Sequence, residues 1–374
     1  MRPTWRVAGA AALWLVLEWY GATSEISWLF LLGAWIAAVV LIAAMYASWN
    51  RGLVLHLELE SSWPAAQSPV HELPEHVLRS GPYPAPIFEG DSFQVSVGLD
   101  TRGGDRGPAW VAGDVSGLQI RFGTGIVPRT GWRRSRTIDA LRRAPISASE
   151  WTIHTSDPLG FFHGVHGCDD AELGLVLPKF GSLAGRRQAR ELEAAASAPR
   201  AGVGVELFGV REYRPGDALR RIHWRSSARL GELVVREYEP PGVQSLAILV
   251  DPSPRSRAVA DQVARIAASE AWDCIREGGR VSIWGPGLQA TEPRQARDLW
   301  ALLDWLARYP GPAGDDPAPV TSDVVMVTGS PDASLVEEAE TSRRRGARAR
   351  AWLIGDAELD VDLSVERVGV EWPL

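Results

Sequence analysis

The sequence predicts a chain of mixed class: a two-helix transmembrane hairpin, an antiparallel β-sandwich-like domain, and a C-terminal α/β domain built on a parallel sheet. Three observations lead there. Residues 7–17 and 26–48 form two apolar runs separated by a short polar break. Residues 53–60 and 93–99 alternate apolar and polar side chains, the period of half-buried strands. Beyond residue 245, short apolar runs alternate with helical stripes, the order expected when helices cover a parallel sheet.

The second apolar run is long enough to span a bilayer. The first is shorter and interrupted by Glu18. It spans if Glu18 lies near the far interface, with Trp5, Trp19 and Tyr20 as interfacial anchors. The break is so short that both outer ends fall on one side. Arg2 and Arg6 precede the first run and Arg51 follows the second, whereas the break holds only Glu18 and Glu25. Positive charge stays inside, so the N-terminus and the soluble domains are expected in the cytoplasm. A cleaved secretory signal would share the basic start, but the second run would remain as an anchor and reverse the topology. Two buried core helices are a further alternative.

The β-rich domain is placed at residues 51–180. Further strands are expected at 118–122, 134–138, 150–155 and 173–177, separated by Gly, Pro and Asp clusters. Thr155 to Gly160 reads as a turn, with Asp157 bonding its own following backbone. His163, His166 and Cys168 offer zinc-type ligand atoms but lack a clear fourth partner beyond Asp169 or Asp170, and they read as side chains collected at a strand end. Cys168 and Cys274 are the chain's two cysteines and read as small core residues. Residues 181–204, rich in Arg and Ala, read as a linker.

Composition excludes several functions. The net charge of -7 lacks the basic balance of a nucleic-acid binder. Lys179 is the single lysine and sits outside any Gly-rich loop, so a Walker A site is excluded. His-Glu-x-x-His, Gly-x-Ser-x-Gly and Cys-x-x-Cys are also missing.

Residues 206–239 are the most informative stretch. Arg211, Arg214, Arg220, Arg221, Arg225, Arg229 and Arg236 are interleaved with Glu206, Glu212, Asp217, Glu232, Glu237 and Glu239. That balance suits ion-pair networks better than a phosphate surface. Pro215-Gly216 fits the centre of a type II turn, and Asp217 fits a helix cap. His223 beside Trp224 has no nucleophile or metal partner indicated and reads as a packed histidine. Residues 232–239 alternate like a strand.

The pattern Glu-x-Phe-Gly-x-Arg-x-Tyr-x-Pro-Gly-Asp, then Arg-x-Ile-x-Trp-x-x-Ser-Ala-Arg, then Leu-x-Val-Arg-Glu resembles the defining motif of the bacterial domain of unknown function 58. Arg211, Tyr213, Gly216, Asp217, Arg220, Trp224 and Arg229 fall on it, and Ser156 to Phe161 resembles the family's second recurring turn. The resemblance implies two N-terminal membrane helices, a β-rich segment, the motif, and a von Willebrand factor A-like domain over residues 205–374. It also implies association with a MoxR-type AAA+ ATPase.

Within the last domain, strands are expected at 245–250, 280–284, 323–328 and 350–354, and helices at 257–276, 293–308 and 333–345. Asp251-Pro-Ser253 resembles the first loop of a metal-ion-dependent adhesion site, whose oxygens suit Mg²⁺. Arg255 stands where the second serine is expected, and the later loop reads Thr328-Gly329-Ser330 in place of Thr-Asp-Gly. Asp332 and Thr291 are the replacement ligands considered, and an Asp251–Arg255 ion pair in place of metal is favoured. No cofactor is therefore expected.

The reading is a membrane-anchored, non-enzymatic adaptor or scaffold working with a MoxR-type ATPase. The bilayer and other membrane proteins are its remaining partners. The rival readings are a metal-dependent hydrolase with a dispersed site around Asp251 and His223, and a structural envelope protein without an ATPase.

Overall fold

The computed structural model describes residues 2–83, 85–186, 188, 209–212, 234–237, 244–359, 361 and 363–374. The chain divides into two compact units, residues 1–179 and 180–374.

The first unit opens with a two-residue strand, β1 (Arg2–Pro3), and two helices, α1 (Trp5–Ser24) and α2 (Ser27–Trp49), that lie against each other. Their contact depends on small residues. A Cβ on Gly33 would lie 2.9 Å from a Glu18 carboxylate oxygen, and one on Gly21 would lie 3.3 Å from Leu29 Cβ. Among the described residues, α2 is the helix long and apolar enough to cross a membrane. Both helices leave large apolar side chains exposed, Trp35, Leu41 and Met45 among them.

Two sheets then enclose one core. The smaller has the order β2 (Leu53–Trp63), β4 (Ser92–Thr101), β7 (Trp132–Asp139), all antiparallel. The alternation read at 93–99 is realised: Phe93, Val95, Val97 and Leu99 are buried, and Leu53, Leu55, Leu57 and Leu59 pack against the same core. The larger sheet centres on β8 (Ala144–Ser156) and includes β5 (Ala109–Val115), β6 (Leu118–Thr124), β9 (Phe162–Gly167) and β10 (Ala171–Leu177). β1 pairs with β9, and β3 (Ile87–Phe88), which follows the short helix α3 (Glu75–Ser80), pairs with β10 in parallel, a departure from the purely antiparallel expectation. Trp151, 1% exposed, fills the middle of this core. Gly113 opposite it has no room for a Cβ beside the indole ring, at the point where β5 and β8 shift register and Glu150 takes a positive φ of 55°.

In the second unit, five parallel strands take the order β14 (Arg280–Trp284), β13 (Ser245–Val250), β15 (Asp323–Thr328), β16 (Arg348–Ile354), β17 (Ser364–Val368). The strands expected at 245–250, 280–284 and 323–328 form within those bounds, and β16 begins two residues early. Helix α4 (Arg257–Arg276) and helix α6 (Ala333–Arg344) lie where they are expected. The expected 293–308 helix is shorter. Residues Pro293–Gln295 form a 3-10 turn, and α5 (Leu299–Arg308) starts behind Asp298, whose carboxylate accepts from Trp300 N at 3.0 Å and Ala301 N at 3.4 Å.

Helix α4 is buried almost all round, polar residues included. Glu270 accepts from Trp352 Nε1 at 2.8 Å and from Arg350 Nη2 at 2.6 Å, joining helix to β16. Its other side is covered by the beginning of the segment read as a linker. Gly181 N donates to Ser269 Oγ at 3.2 Å, and Ser182 Oγ and Leu183 N donate to Asp273 at 2.8 and 2.9 Å. Residues 181–183 are thus part of the unit's packing.

Candidate functional site

In the strand order of the second unit, β13 has β14 on one side and β15 on the other, so the connections leave it in opposite directions. A crevice at the carboxyl ends of β13 and β15 is where such a sheet places a ligand. Asp251 and Thr328 occupy those ends, and the hydroxyl of Thr328 donates to Asp251 Oδ2 at 3.2 Å. The other carboxylate oxygen accepts from Ser253 N at 2.9 Å, an Asx turn. Thr328 Oγ1 also accepts from Ser330 N at 2.9 Å, and the Tyr309 hydroxyl donates to the Asp251 carbonyl. Asp251 and Thr328 are fully buried.

This arrangement does not fit a hard cation. Both oxygens of Asp251 already hold donors from the chain. Gly329, at the position where a carboxylate would be expected, faces Val259 so closely that a Cβ would collide with Cγ1 of that side chain, so an aspartate has no room there. Among the described residues, no group of three or more His, Cys, Asp or Glu side chains is disposed to hold a metal. The replacement ligands are used elsewhere. Thr291 Oγ1 accepts from Ile283 N at 2.9 Å, and Asp332 accepts from Ser334 Oγ at 2.5 Å at the start of α6. The favoured Asp251–Arg255 ion pair does not form, because Thr328 and the Ser253 amide satisfy the carboxylate while Arg255 lies exposed. Nothing in the sequence marks Tyr309, since a tyrosine after a helix carries no pattern of its own.

Of the motif residues, Arg211 lies on β11 (Gly209–Glu212), which pairs antiparallel with β12 (Val234–Glu237), Arg211 standing opposite Val235. β12 falls inside the stretch read as a strand. Tyr213, Gly216, Asp217, Arg220, Trp224 and Arg229, with His223, lie outside the described residues.

The histidine–cysteine cluster of the first unit is dispersed. His163 and His166 are three apart on β9 and so face opposite sides of the sheet. Cys168 is half-buried, and burial followed by the charge of Asp169 pushes its thiol pKa up. Cys274 is buried, as a core cysteine should be. His163 instead meets His154, with Nε2 lying 3.2 Å from Nδ1 of its neighbour. Both imidazoles stack on Trp110, at centroid distances of 5.0 and 5.1 Å. Thr152 Oγ1 is 3.1 Å from His154 Nε2. His154, Trp110, Arg121 and Gln119 line a cavity of about 540 Å³ on this sheet.

Residues 209–307 match the family model described as Protein of unknown function DUF58. No curated protein matches the chain.

Two outcomes are expected. Thr328→Val leaves a buried carboxylate oxygen and the Ser330 amide without partners, and should destabilise the second unit by about 2–3 kcal/mol, whereas Thr328→Ser should cost much less. Thermal or denaturant unfolding checks both. Burial first, then the charges of His163 and Arg121, lower the His154 pKa below 6.5. The folded state therefore resists a proton that the unfolded state accepts. Stability should be unaffected by this group above pH 6.5 and should fall as pH drops below it. His154→Gln should flatten that fall in a pH series of melting curves.

Proposed function

Because the chain carries the DUF58 family segment across residues 209–307, we propose that it is a membrane-anchored, non-enzymatic adaptor working with a MoxR-type AAA+ ATPase. The observation that carries the anchor is α2, an apolar helix of 23 residues with most of its surface exposed. In this reading α1 crosses beside it as the other half of a hairpin, with Glu18 near the far interface. Arg2, Arg6 and Arg51 hold the near ends in the cytoplasm. The second unit is then a cytoplasmic von Willebrand factor A-like domain in which Thr328 and the Ser253 amide take the place of a cation at Asp251. Its strand-end face, with Arg255 exposed beside it, serves as a docking surface together with the motif residues Arg211, Tyr213, Gly216, Asp217, Arg220, Trp224 and Arg229. Lys179 is the chain's single lysine, so any nucleotide-driven work falls to the partner.

The test is to purify the tagged chain from its host in detergent and identify co-purifying proteins by mass spectrometry. An AAA+ ATPase should be recovered with the native chain and lost with Arg255→Ala or Asp217→Ala variants that still fold. Recovery of no ATPase, with stoichiometric Mg²⁺ or Zn²⁺ retained on the chain, would contradict the adaptor reading.

A further inference from the structure

We propose that the foot of the β unit is itself a membrane-contacting surface, specific for the anionic phospholipid headgroups of the bilayer that α2 enters. The inference rests on the membrane reading of α2 given above. It adds that three β loops lie on the lipid surface and read its charge.

The loops are held at the helix foot by named bonds. Asn50, fully buried at the end of α2, donates through Nδ2 to the carbonyls of Gly107 at 2.9 Å and Ser156 at 3.1 Å, and accepts from Gly107 N at 3.1 Å. Arg106 and Val127 exchange backbone bonds of 2.9 and 2.6 Å, which brings residues 124–131 alongside. From the start of α1, Thr4 Oγ1 donates to Gly160 O at 2.8 Å and Arg6 Nη1 to Leu159 O at 2.7 Å. The loops at 102–107, 124–131 and 157–161 are therefore fixed at one level, that of Trp5 and Trp49.

Their surface has the composition of an interfacial contact. Ile126 is 62% exposed and Leu159 52%, and the rings of Trp5 and Trp49 at the same helix foot are exposed as well. Arg2, Arg6, Arg102 and Arg129 are exposed around them. Arg106 stacks its guanidinium 4.6 Å over the Trp49 ring, and its Nε and Nη1 have no hydrogen-bond partner in the protein. The carboxylates at this end are fewer and engaged. Asp100 pairs with His56 at 3.1 Å, Asp105 accepts from Arg129 N at 3.1 Å, and buried Asp157 accepts from the amides of Leu159 and Phe162. Large apolar side chains set among arginines, at the point where an apolar helix ends, suit the boundary between acyl chains and phosphates. An excess of arginine there is drawn to an anionic leaflet.

The experiment places one fluorophore at a time on the full chain, in a Cys168→Ala, Cys274→Ala background. Labels go on Leu41→Cys in α2, on Ile126→Cys and Leu159→Cys at the foot, and on Leu141→Cys, which is 79% exposed in the distal loop that joins β7 to β8. Each protein is reconstituted into phosphatidylcholine vesicles with or without phosphatidylglycerol, carrying a nitroxide-labelled lipid as quencher. The expected result is quenching at Leu41, Ile126 and Leu159 and none at Leu141. Quenching at Ile126 and Leu159 should weaken in neutral vesicles, and in an Arg102→Gln, Arg129→Gln variant whose melting curve is unchanged. Quenching at Leu41 with silence at both foot positions would overturn this inference and leave the anchor standing. Silence at Leu41 would overturn the anchor and the inference together. Equal quenching at the foot in neutral and anionic vesicles would overturn the headgroup specificity.

Discussion

The first unit depends on a single buried amide. Asn50 follows directly on α2, where the helix leaves backbone groups unsatisfied, and its side chain spends both polar atoms on the backbone of two β loops. A buried amide with unmet bonding capacity would cost more than these bonds contribute, so the loops cannot leave the helix foot without exposing or orphaning it. The register of β1 on β9 and the bonds from Thr4 and Arg6 close the same junction from the other helix. The consequence is that the helices and the β layers form one body, and the height of the β unit above α2 is set by covalent and hydrogen-bonded geometry.

The second unit has a comparable constraint in α4. A helix on a parallel sheet normally buries one stripe, but Asp261, Gln262, Ser269, Glu270 and Asp273 are buried here as well. Each of the last three has a defined acceptor role: toward Gly181, toward Arg350 and Trp352, and toward Ser182 and Leu183. The polar side of α4 thus holds the incoming segment of chain and the fourth strand of the sheet in place. At the strand ends, Asp251 does similar work, tying β13 to β15 through Thr328.

Much of this was legible in the sequence, and the parts that were not have physical reasons. The strands at 53–63 and 92–101 and the alternation after 245 stand out because each buries a regular apolar face. β5 and β9 carry no strand pattern of their own, since Gly113, Asp114, Gly164 and Gly167 break their apolar alternation, and their place comes from pairing with β8. The outward face of α4 looks solvated in sequence because its charged residues carry no sign of the segment that covers them. At the strand-end site, Asp251, Ser253 and Thr328 stand out in the sequence through their resemblance to the loops of a metal-ion-dependent adhesion site. The collision between position 329 and Val259, and the Tyr309 hydroxyl on Asp251, arise from tertiary packing alone. The motif at 206–239 was recognised by its residues, and β11 with β12 is the portion of it that the described structure frames.

Through Asn50, α2 and the β layers move as one body. Backbone amide exchange on the full chain in lipid nanodiscs, comparing the native protein with Asn50→Ala, tests it most directly. The account predicts faster exchange in residues 105–108 and 156–161 together, with the middle of α2 unchanged. Unaltered protection in both loops would mean that the β unit holds itself together independently of the helix foot, and would contradict it.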